Sequence, residues 1–323
     1  MKQRGRAGRV HPSGGVTMFR RILVPLDGSD FAERILPLAA DLARRMGSTL
    51  ALVLVHRRLP ALVAADEAAQ VEPLFDKQLR EEEEEYLDGL HTRVPALHGL
   101  AIEHAVLEGT VASAIAEYVQ RHDVDLVAMT THGRGPISRF WLGSVADRLV
   151  RKVHVPILLV RPDNLPQFPL GADRPVLVPL DGSPLAEVAL APALSLAALG
   201  GSPVALLSVV EPGFVPWTPL PAAEPVPMEA ESLERRRLRA TKYLHELAEK
   251  LRAQGRQVTA EVQLGADPAK VILHEVDERK AGLVALATRG LGGAERFLLG
   301  SVADKLIRSA HCAVLVVHPE DER

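Results

Sequence analysis

The chain has 323 residues and a formal net charge of −3, enough length for two domains of ordinary size, each with a core of its own. Cys312 is the only cysteine, so an intrachain disulfide is excluded and the composition suits a reducing cytoplasm. The charge balance leaves no global basic field for a phosphate backbone, which argues against nucleic acid as the main partner.

Residues 1–18, MKQRGRAGRVHPSGGVTM, are basic and glycine-rich but lack the apolar core of a signal peptide. They are expected to be a disordered tail, with Met18 as an alternative start because the first apolar run begins at Phe19. From there, short β-branched and leucine-rich runs alternate with longer amphipathic stretches, the pattern of β-α-β units around a parallel sheet. Strands are predicted near 22–26, 49–55, 101–107, 125–129 and 156–160, and again near 176–180, 203–210, 257–263, 282–287 and 313–317. The implied division is a domain over 19–162, a linker over 163–173 and a second domain over 174–319.

Helices fill the gaps. Ser183 followed by Pro184 predicts an N-cap with proline at the first helical position. Pro37 and Pro192 fall inside the first helix of each half and should kink or shorten it. The acidic run over 81–85 is read as the solvated face of a long polar helix. Residues 188–210 carry no charge, yet Pro192, Gly200, Gly201 and Pro203 divide them into helix, turn and strand, so no membrane segment is predicted. The stretch 211–228 holds six prolines and reads as an extended loop, a lid or a docking element. Trp217 within it either covers a pocket or packs on a helix.

The order of elements is duplicated. Residues 22–29 read ILVPLDGS and residues 176–183 read VLVPLDGS; residues 142–149 read LGSVADRL and residues 299–306 read LGSVADKL. Asp27 and Asp181 lie 154 positions apart, and Gly143 and Gly300 lie 157 apart, so only a few residues are inserted between the two anchor motifs.

In an open parallel sheet the ligand crevice lies beyond the carboxyl ends of the strands, where the strand order reverses. Two segments of each half point there. Asp27-Gly28-Ser29 and Asp181-Gly182-Ser183 follow the first strand, where a carboxylate can accept from a ribose hydroxyl or an amine, or can simply set the turn and cap the next helix. Thr130-Thr131-His132-Gly133, nine residues, then Gly143-Ser144-Val145 follow the fourth strand, and Ala287-Thr288-Arg289-Gly290, nine residues, then Gly300-Ser301-Val302 repeat the arrangement. Glycines there admit a close backbone approach, and the amides that open the next helix form an anion site together with Ser144 or Ser301. The competing reading makes Ser144 with Asp147, and Ser301 with Asp304, capping boxes that satisfy the helix start unaided. A helix terminus contributes only about 0.3 to 2 kcal/mol towards an anion, against about 8 kcal/mol for micromolar binding. Adenine and ribose contacts must then supply most of the affinity.

No P-loop, dinucleotide fingerprint, metal-ligand spacing or catalytic constellation is present. His132 is the one histidine in a candidate loop, but Arg289 is its counterpart, so it is read as a loop or ligand-edge residue and not as a general base.

These motifs resemble those of the universal stress protein family over residues 19–318. The family pattern is V-P-x-D at the first strand, met by Pro25-Leu26-Asp27 and Pro179-Leu180-Asp181, and G-x-x-G, nine residues, G-[ST] after the fourth. Gly133, Gly143 and Ser144 match that second motif, as do Gly290, Gly300 and Ser301. The resemblance implies two tandem Rossmann-like domains of the adenine nucleotide α-hydrolase type. Each would have a five-stranded parallel sheet, with the fifth strands pairing across a pseudo-twofold; further homodimerisation is left open. It also implies ATP, with Mg²⁺, over the crevice. Asp27 and Asp181 would meet the nucleoside, Val55 and Val209 would flank adenine, and the glycine-serine steps would hold phosphates. The first glycine of the family loop is Thr130 in one half and Ala287 in the other, and β-branched Thr130 intrudes more. Arg134, Arg139 and Arg296 could offset this by meeting phosphates.

The function expected is a non-catalytic, ATP-binding regulator of stress adaptation acting on an unidentified protein partner. The alternative is a nucleotide-independent interaction module docking through the proline-rich loop. An ATP-using enzyme is disfavoured for want of a nucleophile-activating group.

Overall fold

The computed structural model describes residues 19–56, 68–131, 142–163, 170–212, 228–288 and 299–319, with the backbone alone described over 68–74 and 228–232. The chain divides into two compact units, residues 1–168 and 169–323.

The first unit contains β1 (Arg21–Leu26), α1 (Asp30–Glu33), α2 (Leu36–Met46), β2 (Thr49–His56), α3 (Ala68–Arg93), a 3-10 turn (Pro95–Leu97), β3 (Ile102–Glu108), α4 (Val111–Arg121), β4 (Leu126–Thr130), α5 (Ser144–Lys152) and β5 (Ile157–Val160). The second contains β6 (Val176–Pro179), α6 (Pro184–Glu187), α7 (Leu190–Ala198), β7 (Val204–Val210), α8 (Met228–Ala253), β8 (Val258–Leu264), α9 (Pro268–Glu278), β9 (Leu283–Ala287), α10 (Ser301–Ser309) and β10 (Ala313–Val317).

Each unit is a five-stranded parallel sheet. The strand order is β3-β2-β1-β4-β5 in the first and β8-β7-β6-β9-β10 in the second. The inner strands are almost wholly buried, β4 as LVAMT and β9 as LVALA, because helices cover both faces of a parallel sheet and leave no polar side to alternate with. β3 and β8, with a neighbour on one side only within their units, carry exposed charges such as Glu103 and Glu261 instead. Charged side chains on such strands discourage further pairing. Right-handed crossovers decide the rest: connections running from β1 towards β3 put α2 and α3 on one face, and those running back to β4 and β5 put α4 and α5 on the other.

The two prolines act as the sequence predicts, and they act alike. Pro37 lies in the first turn of α2 and Pro192 in the first turn of α7. A proline ring clashes with the carbonyl four residues back and removes the amide that would bond to it. Those carbonyls belong to Glu33 and Val188, and α1 stops at Glu33 while α6 is capped at Val188. The uncharged stretch resolves into the nine-residue α7, a turn with Gly201 at φ +69°, and β7. No helix among the described residues is long and apolar enough to cross a membrane.

The turns after β1 and β6 superpose in their chemistry. The Asp27 Oδ1 atom accepts from the Ser29 N–H at 3.0 Å and its hydroxyl at 2.5 Å, and Asp181 does the same for Ser183 at 2.9 and 2.6 Å. Both serine hydroxyls then accept from the amide three residues on, capping α1 and α6. Gly28 and Gly182 between them have φ of +75° and +84°, where a Cβ is crowded by its own backbone. A Cβ on Gly182 would meet nothing within 4 Å, so only conformation is at stake. Gly182→Ala should destabilise the second unit by about 1–2 kcal/mol and Gly182→Asn by less. Urea unfolding measures both.

Candidate functional site

Because β1 pairs with β2 on one side and β4 on the other, and β6 with β7 and β9, the strand order reverses at β1 and at β6. The crevice of each unit opens there, beyond the carboxyl ends of the strands.

In the second unit the crevice is a cavity of about 790 Å³, within the range that small-molecule sites occupy. It brings together Pro179, Asp181, Val209, Ala287, Gly300, Ser301 and Val302, contributed by the ends of β6, β7 and β9 and the start of α10. Arg289 and Gly290 lie outside the described residues. In the first unit Pro25 and Asp27 close β1, Val55 falls near the end of β2, Thr130 ends β4, and Gly143, Ser144 and Val145 open α5. His132, Gly133, Arg134 and Arg139 lie outside the described residues, as do Arg296 and Trp217. Thr130 is buried at 5% exposure, while Ala287 is half-buried and lines the second unit's cavity.

The capping-box expectation is overturned. The N-caps of α5 and α10 are Gly143 and Gly300, and neither helix start has a side-chain cap bond. The carbonyls of Gly143 and Gly300 accept from the amides of Asp147 and Asp304, so each serine is one position too far along to cap. The aspartates turn instead to arginines one turn on: Asp147 pairs with Arg151 at 3.2 Å and Asp304 with Arg308 at 2.9 Å. Ser144 and Ser301 are left exposed at the first helical position.

The glycines contribute room and not donors. The Gly143 N–H donates to the Thr131 carbonyl at 2.7 Å, and the Gly300 N–H to the Thr288 carbonyl at 2.9 Å. A Cβ on Gly300 would sit 3.2 Å from that same carbonyl oxygen, which is why the loop approaches so closely. The second unit's cavity is bordered by Ser301, Val302 and Ala303, whose amides precede the first intrahelical bond, Asp304 N–H to the Gly300 carbonyl, and are the donors a helix start offers to an anion.

Sequence reasoning missed what the long helices contribute. Tyr243 of α8 lines the cavity and donates to Glu187 at 2.9 Å, fastening α8 to α6. Tyr86 of α3 donates to Glu33 at 2.9 Å in the same way. Burial, with the adjacent carboxylate, pushes both phenols well above their ordinary pKa. Arg236, Arg239 and Ala240 of α8 complete the cavity wall. The signal was available: with Tyr86 and Tyr243 as equivalents, Arg236, Arg239 and Ala240 stand where the first half has Leu79, Glu82 and Glu83.

The acidic run corrects a second expectation. Glu81, Glu82, Glu84 and Glu85 are exposed, but Glu83 turns inward onto His56, the last residue of β2. The His56 ring is 2% exposed and lies between two carboxylates, Nδ1 at 2.7 Å from Glu83 and Nε2 at 2.9 Å from Asp76. A carboxylate at each nitrogen favours the doubly protonated ring over either neutral tautomer.

The universal stress protein family model matches residues 18–161 and again 174–318, and the chain belongs to that family as a tandem, two-domain member. Universal stress protein Rv1996 of Mycobacterium tuberculosis is 28% identical over 321 residues, which is 93% of this chain and 96% of the relative. Universal stress protein MJ0531 of Methanocaldococcus jannaschii is 33% identical over 147 residues, 46% of this chain and 85% of the relative. In fold, the chain is similar to a universal stress protein of Archaeoglobus fulgidus, with a TM-score of 0.65, 21% identity, and 93% of this chain and 97% of that one covered.

The His56 cluster yields a signed pH dependence. Burial by itself lowers the imidazole pKa, but hydrogen bonds and charge from Asp76 and Glu83 outweigh it, and the net shift is upward from 6.5. A folded pKa above the unfolded one means this contribution to stability is complete below about pH 6.5 and is lost as pH rises through the folded pKa. A nuclear magnetic resonance titration of the His56 ring should give a midpoint above 6.5; one below it contradicts the arrangement.

Proposed function

We propose that the protein is a non-catalytic, adenine-nucleotide-binding regulator of stress adaptation that takes ATP with Mg²⁺. The observation that carries this reading is the cavity of about 790 Å³ at the β6 switch point, with Asp181, Val209, Ser301 and Val302 in one wall system. The residues fit the ligand. Val209, with Leu286 and Ile272 nearby, offers apolar surface to a flat base. Asp181 offers a carboxylate to ribose hydroxyls. The Ser301 hydroxyl and the amides that open α10 suit an anionic oxygen. Mg²⁺ would be held chiefly by the nucleotide's own phosphates, since the described residues contain no group of three or more metal-ligating side chains.

The non-catalytic part of the proposal rests on the cavity's chemistry. Among the described residues its lining holds serine, threonine and tyrosine hydroxyls with two carboxylates, Asp181 and Glu211, but no histidine, cysteine or lysine; Asp181 already accepts from the Ser183 amide and hydroxyl, and general base catalysis needs a group free to take a proton within hydrogen-bond reach. Bound nucleotide would act by altering a surface that a partner reads.

Calorimetry of the full chain with ATP and Mg²⁺ should show saturable binding. Asp181→Ala should weaken it by about tenfold, the cost of about one charge-assisted hydrogen bond. Gly300→Val, by pushing a side chain against the Thr288 carbonyl, should weaken it at least as much. Absence of saturable binding by the unaltered chain would leave a nucleotide-independent interaction module as the reading.

A further inference from the structure

Among the described residues, the two crevices differ on the side of the long helix. In α8, Arg236, Arg239, Ala240 and Tyr243 fall at positions i, i+3, i+4 and i+7, on one helical face, and all four line the second unit's cavity. Arg236 is half-buried and Arg239 exposed, and among the described residues neither guanidinium makes an ion pair or hydrogen bond. The neighbouring Arg237 and Arg252 do pair, with Glu234 and Glu249.

The same face of α3 has the opposite character. The tyrosine fastenings align the helices, so Leu79, Glu82 and Glu83 take the places of Arg236, Arg239 and Ala240. The strand registers align the floor, because Pro25 lies beside Val53 and Pro179 beside Leu207. His56 therefore takes the place of Val210. Val210 and Ala240 both line the second unit's cavity; in the first unit those two positions hold His56 and Glu83, bonded to each other at 2.7 Å. That corner is occupied by a buried ion pair closed off by Asp76. The basic residue nearest it on the helix, Arg80, is engaged by Glu108 at 2.8 Å.

We infer that Arg236 and Arg239 are the anion-holding residues of the second unit's cavity, and that the chain takes one polyphosphate-bearing nucleotide, in the second unit alone. The inference rests on the nucleotide reading above and adds to it a residue set and a stoichiometry. Three amides and a hydroxyl at a helix start supply partial charges. A triphosphate needs full positive charge nearby, and guanidinium groups match phosphate oxygens two at a time. The first unit presents Glu82 from the corresponding face and fills the corner beside it with the Glu83–His56 pair, and the like charge of Glu82 disfavours a polyanion at close range. The carboxylates of the second unit's cavity, Asp181 and Glu211, come from the ends of β6 and β7, on different elements from the arginines.

The test is calorimetry of the full chain, titrated separately with ATP plus Mg²⁺ and with adenosine, for the unaltered protein and for the Arg236→Gln, Arg239→Gln double variant. Glutamine keeps the helix propensity, and an unchanged thermal midpoint verifies the fold. The single Arg239→Gln variant, altered only at an exposed side chain, provides a second measurement. One ATP per chain is expected, with affinity falling about tenfold or more in the double variant while adenosine binding stays unchanged. Two ATP per chain, or an ATP affinity indifferent to both substitutions, overturns the inference and leaves the proposed function standing. No saturable ATP binding by the unaltered chain overturns both.

Discussion

A parallel sheet whose first strand has partners on both sides cannot cover its own carboxyl edge. The chain leaves β1 towards β2 and later returns to lay β4 on the other side, so the connections after these strands diverge to opposite faces and a gap opens between them. The second unit meets the same constraint at β6, between β7 and β9. Everything that gives this molecule a site is arranged around that gap. The tight Asp-Gly-Ser turns keep the first exit short, the prolines at 37 and 192 break the first helix so that it can settle on the sheet, and the glycines before α5 and α10 bring a helix start close to the rim.

Small displacements along a helix decide what the rim offers. Had Ser144 and Ser301 been N-caps, their hydroxyls would have been spent on their own helices. The helix begins one residue earlier in its bonding, with a glycine carbonyl taking the first intrahelical bond. The serines stay exposed, and the glycine amides, which the sequence pattern invites one to count as ligand donors, are already bonded to Thr131 and Thr288. The donors are the amides that follow them. The glycine is needed because a side chain there would press on a backbone carbonyl, and not because its own conformation is left-handed: its φ is −59° in α10.

Duplication preserved the frame and let the fittings diverge. The turn chemistry and the tyrosine-to-glutamate fastenings agree between units to within about 0.1 Å in their hydrogen-bond lengths, since each holds a connection on which the sheet depends. The long-helix face is under no such constraint. One copy fills its corner with His56, Glu83 and Asp76, and the other leaves Val210 and Ala240 there beside two arginines. A buried histidine between carboxylates is stable only when all three groups are present, so the first unit's corner can be exchanged for the second unit's only as a set.

Read alone, the sequence determined the duplicated α/β frame, the ten strands to within a residue or so, the breaks at Pro37 and Pro192, and the segments that meet at the rim. These follow from local steric rules and from apolar runs that only a doubly covered parallel sheet can bury. Tertiary structure decided which groups are engaged. Whether Ser301 caps a helix, whether Glu83 faces water, and whether Arg236 and Arg239 border a cavity depend on the register of one element against another. A shift of one residue along a helix turns a side chain by about 100°, and no local pattern specifies that angle.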